Sequence, residues 1–296
     1  MRDGPILRLS AGGLRAVLHP GIGGSIGGFW SETPDGRVDW LRPATPDAVQ
    51  SADVLGMACY PLLPFSNRVR DGRFTFAGED IALPLNFLPD PHVIHGHGWT
   101  APWTVVEANA ATARLEFLYD GSVWPWAYRA EQAFQLTDTG LTVSIALTNT
   151  APTPMPAGIG LHPFFPRQPG TTIFAAVKAL WLTDDEVMPT ALVPASTVWP
   201  TGEGLGVEDA VLDTCFTGWD GAIDIRWPDR SLRMTADGPL DKLVIFTPQG
   251  ETFFCAEPVS NITDALNLVA TRDDTGLVTL APGETLSGTV RFNPGL

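Results

Sequence analysis

Four short stretches combine reactive polar residues with turn-forming ones: PFSNRVRDGRFTF (Pro64 to Phe76), HVIHGHGW (His92 to Trp99), GIGLHPFFP (Gly158 to Pro166) and FFCAEPVSNITDALN (Phe253 to Asn267). His162 and Glu257 each stand directly before a proline, which biases them away from the helical region and towards extended backbone. Each also adjoins an apolar stretch, so each reads as a polar side chain at the end of a strand. A carboxylate and an imidazole facing one another across a cleft are what general acid–base catalysis needs. One must hold a proton while the other lacks one, and their environments can arrange that near neutral pH. Residue type alone also accommodates a core histidine bonded to backbone and a glutamate on the surface.

The histidine patch raises metal binding, because His95 and His97 would share one face of a strand with His92 nearby. No Cys, Asp or Glu follows at ligand spacing before Glu107, so a hydrogen-bonding or structural role is favoured over a metal. Of the ten tryptophans, Trp99, Trp103, Trp124 and Trp126 cluster near this patch and a WPW turn. An indole face suits the apolar face of a sugar ring, although most tryptophans fill cores. No P-loop, dinucleotide fingerprint, Gly-x-Ser-x-Gly elbow or zinc spacing is present.

The elements that must position these residues are strands. Arg73–Phe76, Ala113–Leu118, Leu141–Leu147, Ile223–Trp227, Leu243–Phe246 and Thr285–Phe292 are short, rich in β-branched or aromatic residues, and often alternate in polarity. Thirty glycines and 27 prolines punctuate them. Asp184–Val187 and Asp264–Val269 are the best short helix candidates. A parallel α/β fold would need a long helix after most strands, so the pattern predicts an all-β antiparallel sandwich. With no linker, repeat or low-complexity tract, residues 1–296 read as a single domain. The net charge of −15 has no acidic tail and no basic cluster, which argues against nucleic acid or an anionic membrane as partner. No apolar run approaches the length of a membrane span and no secretory leader is seen. Cys59, Cys215 and Cys255 are scattered and cannot all pair, which suits a cytoplasmic protein.

Taken in order, the four patches resemble the aldose 1-epimerase family over about Gly21 to Phe292. NRVRDGRFTFAGEDIALPLN, IHGHGW, GIGLHPFFP and CAEPVSNITDALN each look like a family segment, and WPWAYRAEQAFQLTDTGLTVSIALTNTAPTPMP follows the pattern of its strands. The resemblance implies a galactose mutarotase-like supersandwich that converts one anomer of an aldohexose such as glucose or galactose into the other, as monomer or homodimer, with neither metal nor cofactor. It implies Glu257 as the base at the anomeric hydroxyl and His162 as the acid at the ring oxygen. Arg68 and His95 would bind the sugar, Asp213 in VLDTCF resembles the family's binding aspartate, and Asn67 would support the site. Trp99 is a candidate for the sugar face. HGHGW departs from the usual His-Gly-Gly form, so His97 could alter which hydroxyls are read. A non-catalytic sugar-binding protein of the same fold and a hexose-6-phosphate 1-epimerase are the alternatives; Arg68, Arg70 and Arg73 lie close together, but their motif looks like the unphosphorylated-sugar branch.

Overall fold

The computed structural model describes residues 4–199 and 202–295. Its strands form two large antiparallel sheets. The first has nine strands in the order Thr104–Ala108, Thr112–Tyr119, Tyr128–Leu136, Leu141–Asn149, Thr285–Gly295, Ser231–Asp237, Ala222–Arg226, Thr172–Ala175 and Leu205–Gly206. The second runs Pro189–Pro194, Ala179–Thr183, Asp213–Thr217, Lys242–Phe246, Phe253–Val259, Gly160–Leu161 and Pro61–Leu62, with Phe164–Pro166 also paired to Phe253–Val259. A four-stranded meander covers Leu7 to Asp39. All six strands expected from sequence are present, within one or two residues at most ends.

Period-two patterning places the sheets. In YRAEQAFQL, Tyr128, Ala130, Gln132, Phe134 and Leu136 are buried while Arg129, Ala133 and Gln135 are exposed, as expected of a sheet with one face on the core. Facing them, Leu243, Ile245, Phe254 and Ala256 of the second sheet enter the same apolar cluster, which also takes Leu9, Phe29, Val290 and Phe292. Phe165 meets Phe292 with ring centres 6.5 Å apart, so the layers touch directly.

The middle strands of the second sheet are buried on both faces. Their alternate residues Cys215, Val244, Cys255 and Val259 join a second apolar cluster with Tyr60, Trp99 and Phe164. Successive strand side chains point to opposite faces, so Glu257, two residues from both Cys255 and Val259, looks away from the main core and into this second layer.

Two local expectations change. Asp184–Val187 is a turn: the Asp184 carboxylate accepts from the amides of Glu186 and Met188 at 3.0 and 2.9 Å, and Val187 is left-handed with φ of 63°. An aspartate bonding forward to its own backbone competes with the helix. Asp264–Val269 holds a helix shortened to Ala265–Leu268. A helix not foreseen, Pro46–Ser51, begins where Thr45 Oγ1 accepts from Ala48 N at 3.2 Å with a proline in its first turn, a standard N-terminal cap. No helix among the described residues is long and apolar enough to cross a membrane.

Candidate functional site

Glu257 and His162 are brought together by strand register. Gly160 lies opposite Val259, and Phe164 lies opposite Cys255. His162 is therefore the residue across from Glu257, where Pro163 interrupts the ladder by having no N–H to give. On its other side His162 N donates to Tyr60 O at 2.9 Å. Val244 faces Glu257 and Cys215 faces Val244, so Cys215, Val244, Glu257, His162 and Tyr60 form one row across five adjacent segments. Their side chains share a face, and directly opposed residues in a sheet stand about 5 Å apart. The result is 3.3 Å between His162 Nε2 and Glu257 Oε1. The His162 ring lies between Tyr60 and Phe164, at centroid distances of 4.7 and 4.6 Å.

This face floors a cavity of about 340 Å³, whose wall includes Arg68, His95, Trp99, Asp213, His162 and Glu257. The remaining groups come from loops folded over the sheet. Asn67 and His95 both adopt left-handed backbone, each with φ of 60°, and they lock together: Asn67 N donates to His95 Nδ1 at 3.0 Å and His95 N to Asn67 O at 2.9 Å. With Nδ1 accepting, the imidazole proton sits on Nε2. Gly96 follows with φ of 68°, and a Cβ there would stand 2.3 Å from Leu63 O, so only glycine permits this close approach. The Asn67 side chain accepts from Arg68 N at 2.8 Å. Arg68 Nε donates to Asp90 Oδ2 at 3.0 Å, and Nη1 stands 3.5 Å from Asp213 Oδ2. Asn67 thus lies in the wall and also fixes the arginine beside it.

Burial dominates the electrostatics of the pair. It pushes the Glu257 carboxyl well above the usual carboxylate range, the negative charge of Asp213 adds to this, and Arg68 opposes it. Burial holds His162 down at about 3, helped by Arg42. His95 is also lowered, by burial first and then by His162 and Arg68. Burial raises Asp213 while Arg68 works the other way. Both members of the pair are thereby driven towards their uncharged forms. His162 Nε2 and Glu257 Oε1 stand 3.3 Å apart, close enough for a proton to pass directly between the two groups.

Residues 5–293 match the sequence profile of the family described as aldose 1-epimerase. The chain belongs to this family. YphB of Escherichia coli K12, a protein described as uncharacterized, is 31% identical over 301 residues, covering 94% of this chain and 95% of the relative. A solved structure described as a candidate aldose 1-epimerase of the same organism superposes with a TM-score of 0.88 at 29% identity, covering 99% of each chain. A galactose mutarotase-like protein of Clostridium acetobutylicum superposes at 0.85 with 20% identity, covering 98% of this chain and 95% of its own, and shares the fold. The chain is therefore an aldose-epimerase-family member with the galactose mutarotase-like β-fold.

The structure corrects the reading of the histidine patch. The strand here is only Val93–Ile94, and left-handed turns at His95 and Gly96 end the period-two alternation that would have aligned His95 with His97. His97 instead stacks on Tyr119 at 4.8 Å, outside the cavity wall, with its Nδ1 buried and unpartnered. His92 points elsewhere, its Nδ1 accepting from Asp71 N at 3.0 Å. Trp99 lines the cavity, whereas Trp103, Trp124 and Trp126 are core. Arg70 pairs with Asp264 at 3.5 Å, and neither Arg70 nor Arg73 reaches the cavity wall.

Sequence reading missed Tyr60, Asp90 and Arg42. Arg42 donates through Nη2 to Leu55 O and Met57 O at 2.7 and 2.6 Å, and lies over the rings of Phe164 and Phe253. No local motif marks any of the three, since each acts through a partner distant in the chain.

Proposed function

We propose that this protein is an aldose 1-epimerase that interconverts the α and β anomers of a free aldohexose such as glucose or galactose. The observation that carries the proposal is the placement of His162 opposite Glu257 on one row of the sheet, 3.3 Å apart on the floor of a cavity. Its volume lies at the small end of ligand sites and suits a single pyranose.

The chemistry follows from one proton shared by two groups. Transfer of that proton from Glu257 to His162 creates carboxylate and imidazolium without changing the charge of the pair. Glu257 then removes the proton of the anomeric hydroxyl while His162 protonates the ring oxygen, and the C1–O5 bond breaks to give the open-chain aldehyde. Rotation about C1–C2 presents the other carbonyl face, and ring closure with the proton transfers reversed yields the opposite anomer. The pair ends as it began, so the cycle needs no cofactor. His95, as an Nε2–H donor, and Arg68 would hold sugar oxygens, Asp213 would accept from a hydroxyl, and Trp99 would offer an aromatic edge of the wall.

An apolar cluster that runs from Leu9 to Phe292 supports reading the chain as a single domain. Three buried, unpaired cysteines support a reducing, cytoplasmic setting. A phosphorylated aldose is a second reading, favoured by Arg42, which lines the cavity with no carboxylate partner among the described residues.

The test is polarimetric or NMR mutarotation of freshly dissolved α-glucose, α-galactose and their 6-phosphates. Acceleration of a free hexose above the spontaneous rate is expected. Acceleration of the phosphates alone would replace the first reading by the second, and tight sugar binding without acceleration would defeat both.

A further inference from the structure

Cys255 is a buried thiol for which the proposed proton transfer has no use. It lies on Phe253–Val259, two residues before Glu257, so the two side chains share one face of that strand. Phe164 opposes it in the ladder, and the imidazole of His162 lies against the Phe164 ring. One ligand atom from each of His162, Cys255 and Glu257 lies within 4.8 Å of the other two, and all three residues are buried. Imidazole, thiolate and carboxylate together form a donor set that suits a borderline-soft divalent ion and not a hard one.

We propose that His162, Cys255 and Glu257 form an inhibitory site for Zn²⁺ or an ion of similar softness. Zinc bonds are about 2.0 Å to nitrogen and 2.3 Å to sulfur, so the three ligands close on the ion by roughly 1 Å of side-chain movement. Binding displaces two protons to solvent, one from the Cys255 thiol and one from the Glu257 carboxyl. The thiolate and carboxylate together then cancel the ion's double charge, which favours binding among buried residues. The ion takes the same His162 nitrogen and Glu257 carboxylate that exchange the proton, so it blocks the acid–base pair itself. His162 and Glu257 line the cavity, from which the ion would reach them, whereas Cys255 is fully buried. The inhibitory half of this inference rests on the epimerase reading, whereas the binding half does not.

Metal-stripped full-length protein is titrated with Co²⁺ as a spectroscopic stand-in for zinc. A thiolate-to-cobalt absorption band in the near ultraviolet is expected, with one ion per chain by equilibrium dialysis and displacement by Zn²⁺. Cys255→Ser should abolish the band, while Cys59→Ser and Cys215→Ser keep it. In the mutarotation assay saturating Zn²⁺ should suppress the wild type, a chelator should restore it, and Mg²⁺ should do nothing. Cys255→Ser should need at least roughly tenfold more Zn²⁺ for the same inhibition, since even losing an outer-shell partner of a ligand costs about 10–100-fold in metal affinity. Absence of the band, its survival in Cys255→Ser, or unchanged zinc sensitivity in that variant would overturn the site. Should Cys255→Ser fail to show a cooperative melt, Glu257→Gln carries the binding test, with loss of Co²⁺ affinity expected and undiminished affinity refuting the site. The band reports on the ion whether or not any sugar is turned over, so failure of the site and failure of the activity are read separately.

Discussion

Replacing Glu257 by glutamine separates chemistry from folding in one variant. The amide has nearly the carboxyl's shape and can stay beside Val244 in the ladder and 3.3 Å from His162, but it cannot take a proton from the anomeric hydroxyl. Loss of a positioned general base lowers a rate by about 10²–10⁴, equivalent to roughly 3–5 kcal/mol of barrier. Stability should move the other way. A carboxyl whose folded pKa is raised contributes stability below its unfolded value, and that contribution is lost as pH rises through the folded value. Above that point the native state carries a buried charge which the neutral amide removes. Glu257→Gln should therefore melt no lower than wild type at pH 8 while its mutarotation rate, followed by polarimetry, collapses towards the spontaneous one. A variant that melts normally and keeps activity within about tenfold, below the span expected of a lost base, would refute the assignment of Glu257.

The pH profile of kcat/KM should be a broad bell. Activity falls on the acid side as His162 takes up a second proton for the pair near its low value of about 3, and on the alkaline side as the pair loses its only proton through the raised Glu257 value; apparent values belong to the coupled pair. Arg68→Ala should raise KM more than it lowers kcat. It also removes the cation that opposes the upward shift of Glu257 and Asp213, so the alkaline limb should move to higher pH, which initial rates across pH will show. His97→Phe keeps the stack on Tyr119 and removes a buried, unpartnered nitrogen; KM for the sugar should be unchanged and the melting temperature equal or higher. Stability should fall as pH drops below about 6.5, where His162, His97 and His95 would protonate in the unfolded chain. Burial holds the first two at about 3 and about 4 in the fold and lowers the third, with the raised Glu257 carboxyl offsetting part of the fall. Thermal melts between pH 7 and 4 measure the slope, which approaches 1.4 kcal/mol per pH unit for each such proton.

The fold was legible because strand formation is local: alternation, β-branching and Gly or Pro punctuation act within a few residues. Glu257 and His162 stood out for the same kind of reason, as polar residues before prolines; His162 does follow the end of Gly160–Leu161, whereas Glu257 proves to lie within Phe253–Val259. Their meeting was not readable from those signals, since it depends on a ladder between segments 95 residues apart whose register is fixed by core packing. His97 was misread because a left-handed backbone at His95 breaks the rule on which the reading relied, and a histidine in that conformation carries no advance mark. Asp184–Val187 failed similarly, with a side chain outcompeting the helix for its amides. Arg42, Asp90 and Tyr60 gave no signal, each being defined by partners that only tertiary structure supplies.

The row from Cys215 to Tyr60 divides labour within the molecule. Spacing between the reacting groups is dictated by the interstrand repeat of a sheet buried on both sides, a length that substitutions elsewhere can scarcely alter. The groups that would grip the substrate, Arg68, His95 and Trp99, hang instead from loops secured by a few hydrogen bonds. If the proposed reading holds, exchanging those loops would change which sugar is accepted, while the pair of Glu257 and His162 stays with the sheet.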